Sequence, residues 1–156
     1  MPIRWAGIVW MALLAACGSP PSSAPTKIAL PVVAKPLDES RRFPPRNQVR
    51  IELVEQKLLG KDFLPGGNLA EYRRGGKAYR QFLARAATPD KAALLLFDLK
   101  NTLSDARFIP HMGGFFGKDG DQPVYVFQKG VFLAGYVGLA EKDAESLARE
   151  FAMRLN

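Results

Sequence analysis

Cysteine is all but absent from this chain of 156 residues, Cys17 being the only one. No intramolecular disulfide can form, and no cysteine-based metal site can be assembled from one thiol. Histidine is as scarce, so a hydrolytic triad or a multi-histidine metal centre would have to be built on His111 alone. That residue stands in Ile109-Pro110-His111-Met112-Gly113 with no serine or aspartate beside it, and reads as an incidental or structural loop histidine. Long apolar runs are missing too. The run from Trp5 to Leu14 covers about ten residues, half of the roughly twenty that a bilayer-spanning helix needs. Other chemistry is excluded by missing partners. Asp119-Gly120-Asp121 lacks the spaced oxygen ligands and closing glutamate of a calcium loop, and reads as a turn before a strand. Gly113-Gly114-Phe115-Phe116-Gly117 is followed by no Gly-Lys-Ser/Thr and opens no helix, so it is not a phosphate loop. Glu52, Glu71 and Asp98 are scattered rather than paired, as glycoside cleavage would require. The expectation is a protein that is not an enzyme, with no catalytic residues, no metal and no cofactor.

What is present begins with charge. Lys and Arg number 22 against 15 Asp and Glu, a formal net charge of +7. Such a surface favours anionic contacts: phospholipid headgroups, lipopolysaccharide phosphates, an anionic glycan or an acidic protein. The N-terminus carries the most specific pattern. Arg4 supplies a short charged region, the apolar run follows, and small residues lead to the cysteine in Leu14-Ala15-Ala16-Cys17. This combination resembles the lipobox of bacterial lipoproteins. The resemblance implies that residues 1–16 are a signal peptide removed on export, that Cys17 receives a diacylglycerol on its thiol, and that its new amino group is acylated, palmitate being the usual chain. Each buried methylene contributes about 0.8 kcal/mol, so one chain binds marginally while two or three hold durably. Gly18 and Ser19 stand where an inner-membrane lipoprotein tends to carry aspartate. The expected location is therefore the outer membrane, facing the periplasm, where no nucleic acid partner is expected.

Residues 17–46 are rich in proline and serine, with Pro20, Pro21, Pro25, Pro31, Pro36, Pro44 and Pro45. They read as a lipidated cysteine followed by a disordered, semi-rigid tether. Arg41, Arg42, Arg46 and Arg50 near its end form a basic cluster diluted by Asp38 and Glu39. The folded domain is expected over 47–156. Val49 to Leu53 alternates apolar and charged residues, as a half-buried strand requires. Leu69 to Arg74 and Lys77 to Ala86 read as a hairpin turning at Gly75-Gly76, with Tyr72 opposite Tyr79 and Glu71 opposite Arg80. Thr88-Pro89-Asp90 starts a helix whose Ala92, Leu95, Leu96, Leu99 and Leu103 form one stripe. The glycines of 113–117 are expected to let the chain bend against the sheet. A second hairpin, turning at Lys129-Gly130, places Val124, Val126, Val131, Leu133 and Val137 on one face and Tyr125, Phe127, Phe132 and Tyr136 on the other. With both faces apolar, it is expected to be central. A last helical stripe runs Ala144, Leu147, Ala148, Phe151, Ala152, Leu155.

The order β-ββα-ββα predicts an α+β fold, an antiparallel sheet of about five strands with two helices packed on one face. Two surfaces are candidates for binding. One is the basic hairpin, Arg73, Arg74, Lys77, Arg80 and Arg85 interleaved with Tyr72 and Tyr79, for which charged protection of an edge strand is the plainer reading. The other is the aromatic face Tyr125, Phe127, Phe132 and Tyr136, which needs a loop, a partner or a ligand to cover it. Leu95-Leu96-Phe97-Asp98 and Gln128-Lys129-Gly130 resemble segments of uncharacterised bacterial envelope domains, a likeness that implies no activity. The expected role is a lipid-anchored docking domain for an envelope partner. The alternative is a periplasmic receptor for a small apolar or anionic ligand, and a cavity enclosed by Tyr125, Phe127, Phe132 and Phe116 would favour it.

Overall fold

The computed structural model describes residues 35–156; the expected signal peptide, Cys17 and tether residues 18–34 lie outside the described residues. The chain runs β1 (Gln48–Gln56), β2 (Pro65–Arg74), β3 (Lys77–Arg85), α1 (Pro89–Thr102), β4 (Ser104–Ile109), β5 (Gly114–Asp119), β6 (Gln122–Lys129), β7 (Phe132–Val137) and α2 (Glu141–Ala152). All strands join one antiparallel sheet in the order β1-β2-β3-β7-β6-β5-β4. The fold is α+β, and the β6–β7 hairpin is central. Every residue of β7 is buried.

Local chemistry explains most of the elements. The Thr88 hydroxyl accepts from the Lys91 amide at 3.2 Å, Pro89 occupies the first helical turn, and Asp90 faces the positive end of α1. Gly75 and Gly76 both take positive φ, 55° and 76°, at the β2–β3 turn. The β2–β3 register pairs Glu71 with Arg80 and Tyr72 with Tyr79, whose rings stack 5.2 Å apart and 9° from parallel. Gly135 on β7 has a packing role: a Cβ there would stand 2.2 Å from the Tyr125 carbonyl oxygen and 2.6 Å from the Phe82 ring.

The sheet has seven strands rather than about five. The two that sequence periodicity misses are β4 and β5. The first is an exposed edge strand with an irregular register between Ser104 and Arg107, a left-handed Asp105 (φ 52°) and Phe108 58% exposed. The second is the glycine-rich stretch read as a bend. Gly114 and Gly117 let β5 lie close to its neighbours, because a Cβ on Gly114 would meet the Val126 carbonyl oxygen at 2.2 Å.

The helices do not share a face. Leu96, Leu99 and Leu103, in and just after α1, pack with Phe82, Val124, Val126, Leu133 and Val137. Ala144, Ala148 and Phe151 of α2 pack with Tyr79, Tyr125, Phe127 and Tyr136 on the opposite side. Alternation along β6 and β7 makes both faces apolar, so each requires its own cover, and one helix on each supplies it. Val131, expected with the aliphatic set, packs on the α2 side.

A helix is about 10 Å across and strands are about 4.8 Å apart, so one helix covers roughly two of seven strands. Irregular segments cover more. On the α1 side, Leu58 and Leu64 from the β1–β2 connection are buried against Phe82 and Ala84. On the α2 side the cover is residues 38–46. Phe43 is 4% exposed, its ring 5.3 Å from that of Phe151. The Glu39 amide donates to Asn68 Oδ1 at 2.8 Å, and Asn68 Nδ2 donates to Asp38 Oδ1 at 2.9 Å. The expected tether therefore stops short of residue 46, and the folded domain begins about ten residues before 47. Proline spacing suggested a linker because nothing local shows that one phenylalanine finds a hydrophobic seat far along the chain.

Candidate functional site

A cavity of about 290 Å³ opens where α2 and residues 44–47 leave the end of the β2–β3 hairpin uncovered. Its floor is the sheet. Tyr72 and Arg74 are alternate residues of β2, Tyr79 and Gln81 alternate residues of β3, so all four face the same side, and Tyr136 of β7 lies beside Gln81 in register. One wall is Pro44, Arg46 and Asn47; the other is Leu147, Glu150 and Phe151 of α2 with Arg154 just beyond its end. Both walls are tied down. The Arg73 amide donates to the Asn47 carbonyl at 3.0 Å, and Arg42 Nη1 donates to the Arg154 carbonyl at 2.7 Å.

Three guanidinium groups, those of Arg46, Arg74 and Arg154, line this cleft against one carboxylate, Glu150. The tyrosines beneath are neutral. Burial raises the pKa of Tyr72, Tyr79 and Tyr136 above the ordinary phenol value. Two of the hydroxyls are occupied: Tyr72 donates to the Pro44 carbonyl at 2.9 Å and Tyr136 to the Leu147 carbonyl at 3.1 Å. The Gln81 side chain is not. It is 1% exposed, and its Nε2 has no hydrogen-bond partner. Buried polar groups in folded proteins are nearly always paired, so an unpaired amide at the floor of a cavity requires an explanation.

The structure brings together four of the eleven residues singled out in the sequence, Tyr72, Arg74, Tyr79 and Tyr136, while Arg85 Nη1 donates to Glu39 Oε1 at 3.0 Å. Arg73 and Arg80 alternate onto the other side of the sheet, where Arg80 Nη2 donates to Gln122 Oε1 at 3.0 Å, and Lys77 is exposed at the hairpin tip. Of the aromatic face, Tyr125, Phe127 and Phe132 are buried in the core on the α2 side, in one cluster with Ala144, Ala148 and Phe151, and Tyr136 alone of the four reaches the cleft. Sequence reasoning did not assign Gln81, Glu150, Arg46 or Arg154 to a site. Gln81 carried a legible signal, a polar residue at an inward position between Tyr79 and Leu83. The other three come from distant segments whose proximity only the tertiary fold creates.

His111 Nε2 lies 2.9 Å from Glu145 Oε1, which also accepts from Arg149 Nη2. The Tyr125 hydroxyl is buried without a partner, and burial pushes its pKa up to about 12, with Glu145 adding to the shift. Among the described residues no three His, Cys, Asp or Glu side chains are placed to hold a metal ion. No described helix is long and apolar enough to cross a membrane. No protein-family model, curated protein or solved structure matches the chain.

Proposed function

We propose that this chain is a non-enzymatic lipoprotein of the bacterial envelope, anchored by acyl chains on Cys17, whose folded domain captures a small anionic ligand in the cleft between the β2–β3 hairpin and α2. The observation that carries the binding role is the convergence of Arg46, Arg74 and Arg154, from three separate segments, on a tyrosine-floored cavity with only Glu150 to offset them. Guanidinium groups present paired donors matched to carboxylate and phosphate oxygens, and a concave site with a few convergent polar groups is the usual form of a small-molecule pocket. Leu14-Ala15-Ala16-Cys17 supports the anchor, and Gly18-Ser19 supports placement on the outer membrane, facing the periplasm. Protonated, largely occupied tyrosine hydroxyls beside one carboxylate support capture rather than catalysis.

Calorimetric titration of the full chain in detergent with phenyl phosphate and with phenol, equal in ring and different in charge, tests this reading. The anion is expected to bind and phenol not to bind detectably. Arg74→Gln, at the exposed end of β2, is expected to weaken the anion at least tenfold, about the 1.5–3 kcal/mol of a hydrogen bond to a charged group. Equal binding of the two compounds would remove the reading.

Docking to an envelope partner is favoured by a different observation. Leu94 and Phe97 on α1 and Phe108 on β4 are 64%, 55% and 58% exposed, three apolar side chains open to a partner on the side of the sheet away from the cleft. This differs from the aromatic sheet face first considered, which α2 covers.

A further inference from the structure

We infer that the ligand of the cleft is a phosphorylated monosaccharide, its phosphate held by the arginines and its hydroxylated ring lying over the tyrosines against the Gln81 amide. The inference rests on the anion-capture reading and adds the identity of the body that carries the anion. Charge comes first. Arg46, Arg74 and Arg154 against Glu150 leave a local excess of two positive charges, which a phosphate dianion balances and a single carboxylate does not. Size comes next. At about 290 Å³ the cavity is just under the range of about 300–1,000 Å³ typical of small-molecule pockets, which suits one ring and its phosphate rather than a chain of sugars.

The body is identified by what the floor leaves unsatisfied. Gln81 lies between Ala70 of β2 and Tyr136 of β7, both of whose side chains offer it no bond, and its Nε2 is without a partner at 1% exposure. A primary amide offers two donors and one acceptor; a sugar hydroxyl both donates and accepts, so one hydroxyl can answer either end of it. An alkyl chain or a phenyl ring would leave the amide unpaired. The stacked pair Tyr72 and Tyr79, with Tyr136 tilted 51° to Tyr79 at 6.3 Å, brings aromatic carbon to the cavity floor, against which the C–H groups of a pyranose can pack. With the Tyr72 and Tyr136 hydroxyls already spent on backbone carbonyls, Gln81 is the buried group left to read the ring, with the Tyr79 hydroxyl and the Asn47 and Ser146 side chains beside it in the lining.

This chemistry has two sources in an envelope, a free sugar phosphate and the phosphorylated sugar of a glycolipid headgroup, and the experiment separates them. The full chain in detergent micelles is titrated with glucose 1-phosphate, phenyl phosphate, inorganic phosphate and glucose. Glucose 1-phosphate is expected to bind at least tenfold tighter than inorganic phosphate or phenyl phosphate, with glucose alone undetected. Gln81→Leu is expected to abolish the tenfold advantage while leaving inorganic phosphate unchanged, and Arg74→Gln to weaken all phosphorylated compounds together. A diacylated glucosamine 1-phosphate added to the same micelles then competes with glucose 1-phosphate: displacement at a lower concentration than free sugar phosphate assigns the glycolipid, and weaker or no displacement assigns the free compound. If phenyl phosphate binds as tightly as glucose 1-phosphate, or Gln81→Leu keeps the preference, the sugar is wrong while anion capture stands. If no phosphorylated compound binds, both fail.

Discussion

Replacing Phe43 by alanine tests whether the segment that reads as linker is part of the folded domain. The ring is 4% exposed, 5.3 Å from Phe151, and belongs to the same buried cluster as Ala144, Ala148 and Leu155. Truncating a buried phenylalanine costs about 3–5 kcal/mol from lost transfer free energy and the cavity left behind. Phe43 is at the margin of the core, where neighbours can relax, so about 3 kcal/mol is expected. A domain of this length holds about 6–18 kcal/mol in total, so the variant still folds. With a urea dependence of about 2 kcal/mol per molar, the unfolding midpoint falls by about 1.5 M. The control lies in the same segment: Leu37 is 61% exposed, and Leu37→Ala is expected to change stability by less than about 0.5 kcal/mol. Equilibrium urea unfolding followed by far-ultraviolet circular dichroism measures both. Were Phe43→Ala to unfold within about 0.3 M of the parent and of the Leu37 variant, the segment would contribute nothing and the domain would begin where the sequence first placed it.

Cys17→Ser is expected to leave an unprocessed, unacylated and mislocalised precursor whose domain still folds; mass spectrometry of the mature N-terminus and membrane fractionation check it, and unchanged processing with equal membrane retention removes the anchor. Acid should weaken the domain partly through Glu39. Burial works against this carboxylate, but the Arg42 and Arg85 guanidinium groups, at 2.7 and 3.0 Å, outweigh it and hold its pKa below the ordinary 4.5. A depressed folded pKa contributes stability that is present above 4.5 and is lost as pH falls through the lower folded value. Urea midpoints measured from pH 6 down to pH 3 should therefore decline less steeply for Glu39→Gln than for the parent, and parallel declines would show that the pair contributes nothing.

The elements legible in the sequence were those whose cause is local. Thr88-Pro89-Asp90 caps α1 through contacts within one turn, Gly75-Gly76 sets the β2–β3 turn and with it the Tyr72–Tyr79 pair, and the stripe of Ala144, Ala148 and Phe151 is a property of helical spacing. The strand β5 was illegible because its glycines are there for neighbouring backbones that the sequence does not display. The edge strand β4 was illegible because, exposed and irregular, it has no alternation to read.

For the candidate site the division is the same. The basic, tyrosine-bearing hairpin was visible as a pattern, and a polar Gln81 among inward residues was a sign that could have been read. What Gln81 faces was not visible. Its cleft needs Arg46 from before β1, Arg74 from β2 and Arg154 from beyond α2, residues 28 and 80 positions apart in sequence and adjacent only once the sheet has closed. By itself the sequence determined the charge balance, a sum over residues, and the cap, the turn and the helical stripes, because each of these depends on residues within a few positions of one another. The tertiary structure alone decided which helix covers which face, where the domain begins and where a cavity remains, because those depend on how few strands a helix can cover and on which distant side chains fill what it leaves open.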